Sequence, residues 1–291
     1  MTGQPEKKKP MGVPPFEFRP TRLGFVGAFA TEAIRSGALV VSDSPLFTVD
    51  APLQHWLFTR AQAGGAQAGP TPVEGDDDER DPPKDFDEFL ERNIEQVLSW
   101  KTPAEREAYW ALANTRDDLP PGYGIFATNA VQTTGEIGGM FLSLSRFNSS
   151  CRPTLSRPEW DAQSRTTRLY ALRDIVPGEE LTWTYLNVTF EFDALDARKA
   201  EMETVFGFAC RCDACERFGS TDAESRASER RLLQLRRLKE RIAPGAHDEP
   251  GGRPMTAGRR ATLEQMAVLS REEGLFETAQ RLEKVISDAS E

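Results

Sequence analysis

Histidine is nearly missing: the chain of 291 residues holds only His55 and His247, and neither sits in a motif. That argues against Ser-His-Asp hydrolysis, which needs a positioned imidazole, and against histidine-rich catalytic metal centres. No G-x-G-x-x-G or P-loop pattern follows a strand-like run, so dinucleotide and nucleoside-triphosphate chemistry lack support. No apolar run approaches the about 20 residues that a bilayer span needs. Nor does an apolar stretch follow Lys7-Lys8-Lys9-Pro10, so neither a membrane span nor a secretory signal is expected. The expected setting is intracellular, nucleus or cytoplasm. Basic charge is also in deficit, with 36 basic against 46 acidic residues and a formal charge of −10. This balance argues against a general nucleic-acid binder and suits a basic partner such as a lysine-rich peptide.

Cysteine is scarce as well, and its placement is informative. All four cysteines fall between residues 151 and 215: Cys151 alone, then Cys210, Cys212 and Cys215 in a C-x-C-x-x-C cluster 59 residues later. Zinc favours four tetrahedral ligands, and thiolates are its usual structural ones. Inside a reducing compartment this spacing points to metal more than to disulfides. The site would clip two distant segments together. Four unliganded core cysteines are the alternative, although three within six residues is unlike core spacing.

Along the chain, residues 1–20 are polar and proline-rich and read as a flexible tail. Residues 21–49 carry two short apolar runs, Leu23–Ala30 and Ala38–Val41, separated by Ser36-Gly37, and read as two strands. Residues 61–85 are rich in Gly, Ala, Pro and Asp and are expected to be disordered. Phe86, Phe89, Leu90, Ile94, Val97 and Leu98 share one helical face. Thr102-Pro103-Ala104-Glu105 has a capping threonine, an N-terminal proline and a glutamate three positions on, predicting a helix to about Asn114. Two more strands are expected at Gly124–Asn129 and Met140–Leu144. A hairpin is expected between Arg168–Leu172 and Leu181–Tyr185, around Pro177-Gly178. Phe29-Ala30, Ile34, Gly37 and Val40 repeat the spacing of Tyr170-Ala171, Ile175, Gly178 and Leu181. That echo reads either as any glycine-turned hairpin or as two similar β-units flanking an insertion. The tail shows helical leucine stripes at Leu232, Leu235, Leu238, Ile242 and at Leu275, Ala279, Leu282, Ile286, separated by a Pro/Gly-rich stretch at 244–258.

Taken as an ordered set, five motifs resemble those of SET-domain protein-lysine methyltransferases. They are Gly27-Ala28-Phe29-Ala30 with Ile34 and Gly37; Phe126-Ala127-Thr128-Asn129-Ala130; Ser145-Arg146-Phe147-Asn148-x-Ser150-Cys151-x-Pro153; Gly178-Glu179-Glu180-Leu181-Thr182-x-x-Tyr185; and Phe206-Gly207-Phe208-x-Cys210-x-Cys212-x-x-Cys215. The resemblance covers residues 20–216 and looks closest to fungal proteins related to the SET-and-MYND enzymes. No cysteines remain here for a MYND zinc module. It implies an α+β, β-rich split SET fold of short strands with a helical insertion, a post-SET zinc loop and C-terminal helices. The implied division is a tail at 1–20, a SET domain at 21–188 with its insertion at about 50–120, a zinc-binding segment at 189–216 and a helical region at 217–291.

The same resemblance implies S-adenosylmethionine as cofactor and a protein or peptide with an accessible lysine as methyl acceptor, with no direct nucleic-acid binding. Tyr185 would orient the amine and the methyl group. Gly27, Asn129, Asn148, Ser149, Tyr185 and Phe208 would line the cofactor, and Cys151, Cys210, Cys212 and Cys215 would hold structural zinc. Four positions depart from the family pattern. Ser149 replaces a histidine and Thr154 an asparagine; Phe25 stands where a glycine is usual and Phe206 where a tyrosine often lies. These departures leave two other readings open: a SET scaffold that only binds partners, or one adapted to small-molecule chemistry.

Overall fold

The computed structural model describes residues 14–49, 84–132, 138–217, 222–242 and 255–289. The disordered stretch expected at 61–85 falls almost wholly outside them, as do residues 1–13. Among the described residues, nine short strands form three antiparallel three-stranded sheets. The first joins β1 (Phe16–Pro20), β2 (Val26–Ala30) and β9 (Glu180–Leu181). The second orders β3 (Leu39–Asp43), β8 (Thr166–Tyr170) and β7 (Glu159–Asp161). The third orders β4 (Phe47–Val49), β6 (Gly138–Met140) and β5 (Val131–Gln132). The split α+β arrangement expected from the sequence is thus present.

The end of the expected flexible tail is a strand. β1 pairs with β2 along its whole length, from Phe16↔Ala30 to Pro20↔Val26. Proline content concealed an i, i+2 aromatic pair: Phe16 and Phe18 both meet the buried Phe147 ring edge-on, with centroids 5.0 and 5.8 Å away. Such aromatic pairs add about 0.5–1.5 kcal/mol beyond their burial. The β1–β2 turn closes through Thr21 N–H to Phe25 O at 2.7 Å, with Gly24 at φ +83°.

The expected 168–185 hairpin is corrected. Its arms do not pair with each other: β8 pairs with β3, and β9 pairs with β2. The repeated spacing explains why. Ile34 and Ile175 face each other and exchange two backbone hydrogen bonds of 3.0 and 2.8 Å. Gly37 and Gly178 both adopt φ near +80°, where an L side chain is strained. The Gly37 N–H donates to Ala171 O, and the Gly178 N–H donates to Ala30 O. Two β-units are therefore interlocked, each completing the other's sheet. Ala28, Ala30, Ile34, Ala171, Ile175 and Leu181 are buried in the core between them.

The insertion is helical in its described part. α1 (Phe86–Ser99) buries Ile94 and Leu98. α2 (Pro103–Trp110) starts with the expected capping box, worth about 1 kcal/mol, but ends four residues before Asn114. Residues 124–129, expected as a strand, belong to a helix, α3 (Pro121–Asn129). A tertiary contact decides this. The Glu91 carboxylate on α1 accepts the Gly122 and Tyr123 N–H groups at 2.9 and 2.6 Å, capping the N-terminus of α3. Residues 140–144 also differ from a simple strand: β6 ends at Met140, and Leu144–Arg146 form a 3-10 turn.

Five further helices follow: α4 (Leu195–Phe206), α5 (Asp213–Arg217), α6 (Ala223–Arg241), α7 (Ala257–Glu272) and α8 (Phe276–Asp288). Local leucine patterning marks α6 and α8 but does not single out α4, α5 or α7. α7 buries Leu263, Met266 and Ala267 against the leucine stripe of α6 and Leu282 of α8. Phe192 from the preceding segment joins that same core. No helix among the described residues is long and apolar enough to cross a membrane.

Candidate active site and metal centre

Cys151 lies in an irregular segment that runs beside residues 181–185. The Ser150 N–H donates to Trp183 O at 3.0 Å, and Ser149 bridges Trp183 in parallel. Cys210 and Cys212 follow the left-handed Gly207 that ends α4, and Cys215 sits on α5. The four Sγ atoms lie within 4.8 Å of one another, with Cys151 and Cys215 3.5 Å apart. Zn–S bonds of about 2.3 Å put tetrahedral sulfurs about 3.8 Å apart, so the donor set fits one thiolate-bound ion. Hydrogen bonds within the cluster, that from Cys151 first, hold the Cys212 thiol far below its ordinary pKa. The same bonding pushes Cys151 up.

Beside this cluster opens a cavity of about 960 Å³. The Thr21–Phe25 turn, the Asn148–Ser150 segment, Tyr185 and Phe208 form one side; α6 and the end of α7 close the other. Five of the sequence-predicted cofactor residues, Asn129, Asn148, Ser149, Tyr185 and Phe208, are on its wall. Gly27 lies behind them. A Cβ on Gly27 would stand 2.6 Å from Glu180 Oε1 and 2.8 Å from Asn148 Nδ2, so this glycine permits the close seating of Asn148.

The polar atoms on this wall are largely committed. Tyr185 Oη donates to Phe147 O at 2.8 Å, and its ring sits 4.7 Å from Trp183 and 5.3 Å from Phe206. Burial raises the phenol's pKa above its ordinary value, so it stays protonated. With its proton directed at Phe147, the oxygen keeps only lone pairs for an incoming group. Asn148 Nδ2 donates to Val26 O and Glu180 Oε1 at 3.2 and 2.8 Å. Asn129 Nδ2 donates to Ala113 O and Ile125 O at 2.6 and 2.8 Å, tying α3 to the chain after α2.

The departures acquire specific roles. Ser149 Oγ accepts the Tyr185 N–H at 3.1 Å, so the serine fixes the tyrosine's backbone. Thr154 Oγ1 accepts the Thr182 N–H at 2.8 Å and holds the same parallel segment. Phe25 is 54% exposed and lines the cavity from the turn, so its ring is not packed into the core. Phe206 packs on Tyr185, and its carbonyl accepts Thr115 Oγ1 at 2.7 Å.

No local pattern announces the buried node on the far wall. Glu273, just past α7, has a side chain only 2% exposed; it accepts Arg231 Nε of α6 at 2.8 Å and also bonds Arg152 and Ser228 Oγ. Arg152 directly follows Cys151 and donates to its carbonyl at 2.6 Å. Arg22 makes a second clip, pairing with Glu216 at 2.7 Å and Asp213 at 3.1 Å. Both link residues more than 100 positions apart, which no local pattern encodes.

The family model described as SET domain matches residues 26–186, just over half of the chain. The chain belongs to the SET-domain family. Three curated fungal relatives, each a histone-lysine N-methyltransferase by name, agree with that. The set5 protein of Schizosaccharomyces pombe is 36% identical over 125 residues, 43% of this chain and 38% of the relative. The SET5 protein of Yarrowia lipolytica is 35% identical over 100 residues, 34% of this chain and 21% of the relative. That of Saccharomyces cerevisiae is 25% identical over 128 residues, 44% and 24% of the two chains. The matched stretches thus span well under half of each relative. The SET match includes Cys151 and Tyr185 and ends before Cys210, so the cysteine cluster bridges the SET domain and the segment after it.

Proposed function

We propose that the chain transfers a methyl group from S-adenosylmethionine to the side chain of a protein lysine, through a SET channel that ends at Tyr185. The carrying observation is Tyr185 itself: a protonated phenol on the cavity wall whose only proton is spent on Phe147 O. When bound, the cofactor would supply an electrophilic methyl carbon on its sulfonium. The phenol oxygen accepts from the arriving amine and orients its lone pair. Asn148 would hold the cofactor, with the Ser149 backbone and the Phe208 ring against its adenine. Because Asn129 has both amide hydrogens on backbone carbonyls, it shapes this wall through α3. Exclusion of water keeps the lysine neutral, since burial beside a sulfonium disfavours a second cation.

The cysteine cluster would hold zinc, fixing Asn148 and Ser149 two to three residues from Cys151. We assign residues 21–188 to the SET domain with β1 as its N-terminal extension, 189–216 to the zinc-binding segment and 217–291 to the helical region. The branch related to the SET-and-MYND enzymes, a nuclear or cytoplasmic setting and a histone as acceptor complete the reading; the relatives' names support the last. The test is calorimetric titration with S-adenosylmethionine, followed by methyl transfer to histone-tail peptides. Saturable binding, with transfer falling at least 100-fold in Tyr185→Phe while cofactor affinity holds within a few-fold, is expected. Absence of binding at millimolar cofactor would leave the partner-binding scaffold as the better description.

A further inference from the structure

The charge of −10 is not spread evenly. α6 alone carries seven basic side chains against three acidic ones, and six of the seven are arginine. Its buried face, Leu232, Leu235 and Leu238, packs in the C-terminal core. At about 100° per residue, Arg226, Arg230, Arg237 and Arg241 fall within an arc of about 60° on the opposite face. All four are exposed. Among the described residues, no ion pair engages Arg230, Arg237 or Arg241. By contrast, Arg231 and Arg236, nearer the core, pair with Glu273 and Asp193.

We infer that this arginine row is a docking surface for the phosphate backbone of duplex nucleic acid. Spacing selects that partner over an acidic protein patch. The row is straight and about 22 Å long, a length of duplex that carries about 13 phosphate charges. It consists of two arginine pairs, each with an axial spacing of about 6 Å, separated by about 10 Å. That gap approaches the about 12 Å width of a major groove, so the pairs can reach phosphates on its two edges. Exposed Leu233 and Gln234 occupy the gap. Guanidinium is the side chain suited to planar, forked contact with phosphate, and lysine is nearly excluded from the helix. Composition averaged over the whole chain hides this row.

The test is fluorescence anisotropy of a labelled 30-base-pair duplex of arbitrary sequence with the full chain at graded salt. Neither cofactor nor lysine peptide is present, so the result is independent of methyl transfer. Saturable binding is expected, weakening with salt. In the quadruple variant R226Q/R230Q/R237Q/R241Q, affinity should fall at least tenfold and the log–log salt slope should shrink by about 3.6, near 0.9 for each of the four lost phosphate contacts. Circular dichroism and cofactor titration of the variant should match the parent, since none of the four residues lies on the cavity wall. Unchanged duplex binding in the variant would overturn the inference. So would stronger competition from a polyglutamate peptide than from unlabelled duplex, which would make the row an acidic-protein site.

Discussion

Substitution of Glu273 offers the sharpest test of how the C-terminal helices relate to the SET domain. Its carboxylate is almost fully buried and serves Arg152, Ser228 and Arg231 at once. In Glu273→Ala those groups remain. Arg152, 15% exposed, loses a counter-charge, while Arg231, 25% exposed, turns partly to solvent. Breaking one side of a buried pair costs about 3–5 kcal/mol. The partial exposure of Arg231 puts this case at the lower end, about 3 kcal/mol. For a chain of this size that corresponds to a fall in melting temperature of about 6–12 °C. Glu273→Gln keeps hydrogen-bond acceptance without the charge and should fall between the two. A double-mutant cycle with Arg152→Met isolates the pair, and a coupling energy above about 1.5 kcal/mol is expected. Thermal melts and urea titrations of the four proteins supply the numbers. A loss below about 1 kcal/mol in Glu273→Ala, or strict additivity in the cycle, would refute the argument that this carboxylate ties α6 and α7 to the Cys151 segment.

Two further outcomes follow from the geometry. Purified protein should carry one zinc per chain by elemental analysis, and chelation should lower the melting temperature and abolish cofactor binding together, because Asn148 and Ser149 are anchored through Cys151; metal-free protein that binds cofactor normally would contradict this. Burial raises the Asp43 carboxyl above its ordinary value of 3.8, against the N–H bonds of Leu144 and Ser143. The folded chain therefore holds an extra proton between those two values, and stability falls as pH rises through the window and stays lower above it. Asp43→Asn cannot titrate, so its melting temperature relative to the parent should climb across that window; a difference that stays flat with pH would count against it.

The grouping of the four cysteines and the strands β2 and β3 are legible because each depends on local spacing. C-x-C-x-x-C can surround one ion from a single loop, and Gly37 and Gly178 announce their turns wherever they pair. What stayed hidden depended on distance. Gly124–Asn129 has the apolar look of a strand, and only the Glu91 carboxylate, some 30 residues earlier, makes it a helix. β1 was masked by prolines whose neighbours, Phe16 and Phe18, needed Phe147 to reveal their face. α7 has a weaker leucine stripe than its neighbours, using Met266, Ala267 and Ser270 among its buried positions. Site residues followed the same rule. Asn148 was visible from its motif, whereas the commitment of its amide to Val26 and Glu180 arises only when three segments converge.

The interlock of the two β-units has a consequence for how the chain can fold and how it can change. β2 meets β9 and β3 meets β8 only after the chain has travelled through the whole intervening stretch, so neither unit is a folding unit by itself. High contact order of this kind slows folding, because loop closure comes before the contacts that reward it. The same closure cost grows only logarithmically with length, about 0.6 kcal/mol for each doubling. Once the Ile34–Ile175 crossing is formed, the insertion between the units can be lengthened or trimmed at little expense to the sheets that carry Tyr185. The topology therefore separates two evolutionary freedoms: a slowly assembled crossing that must be kept whole, and an intervening span whose length is nearly free to vary.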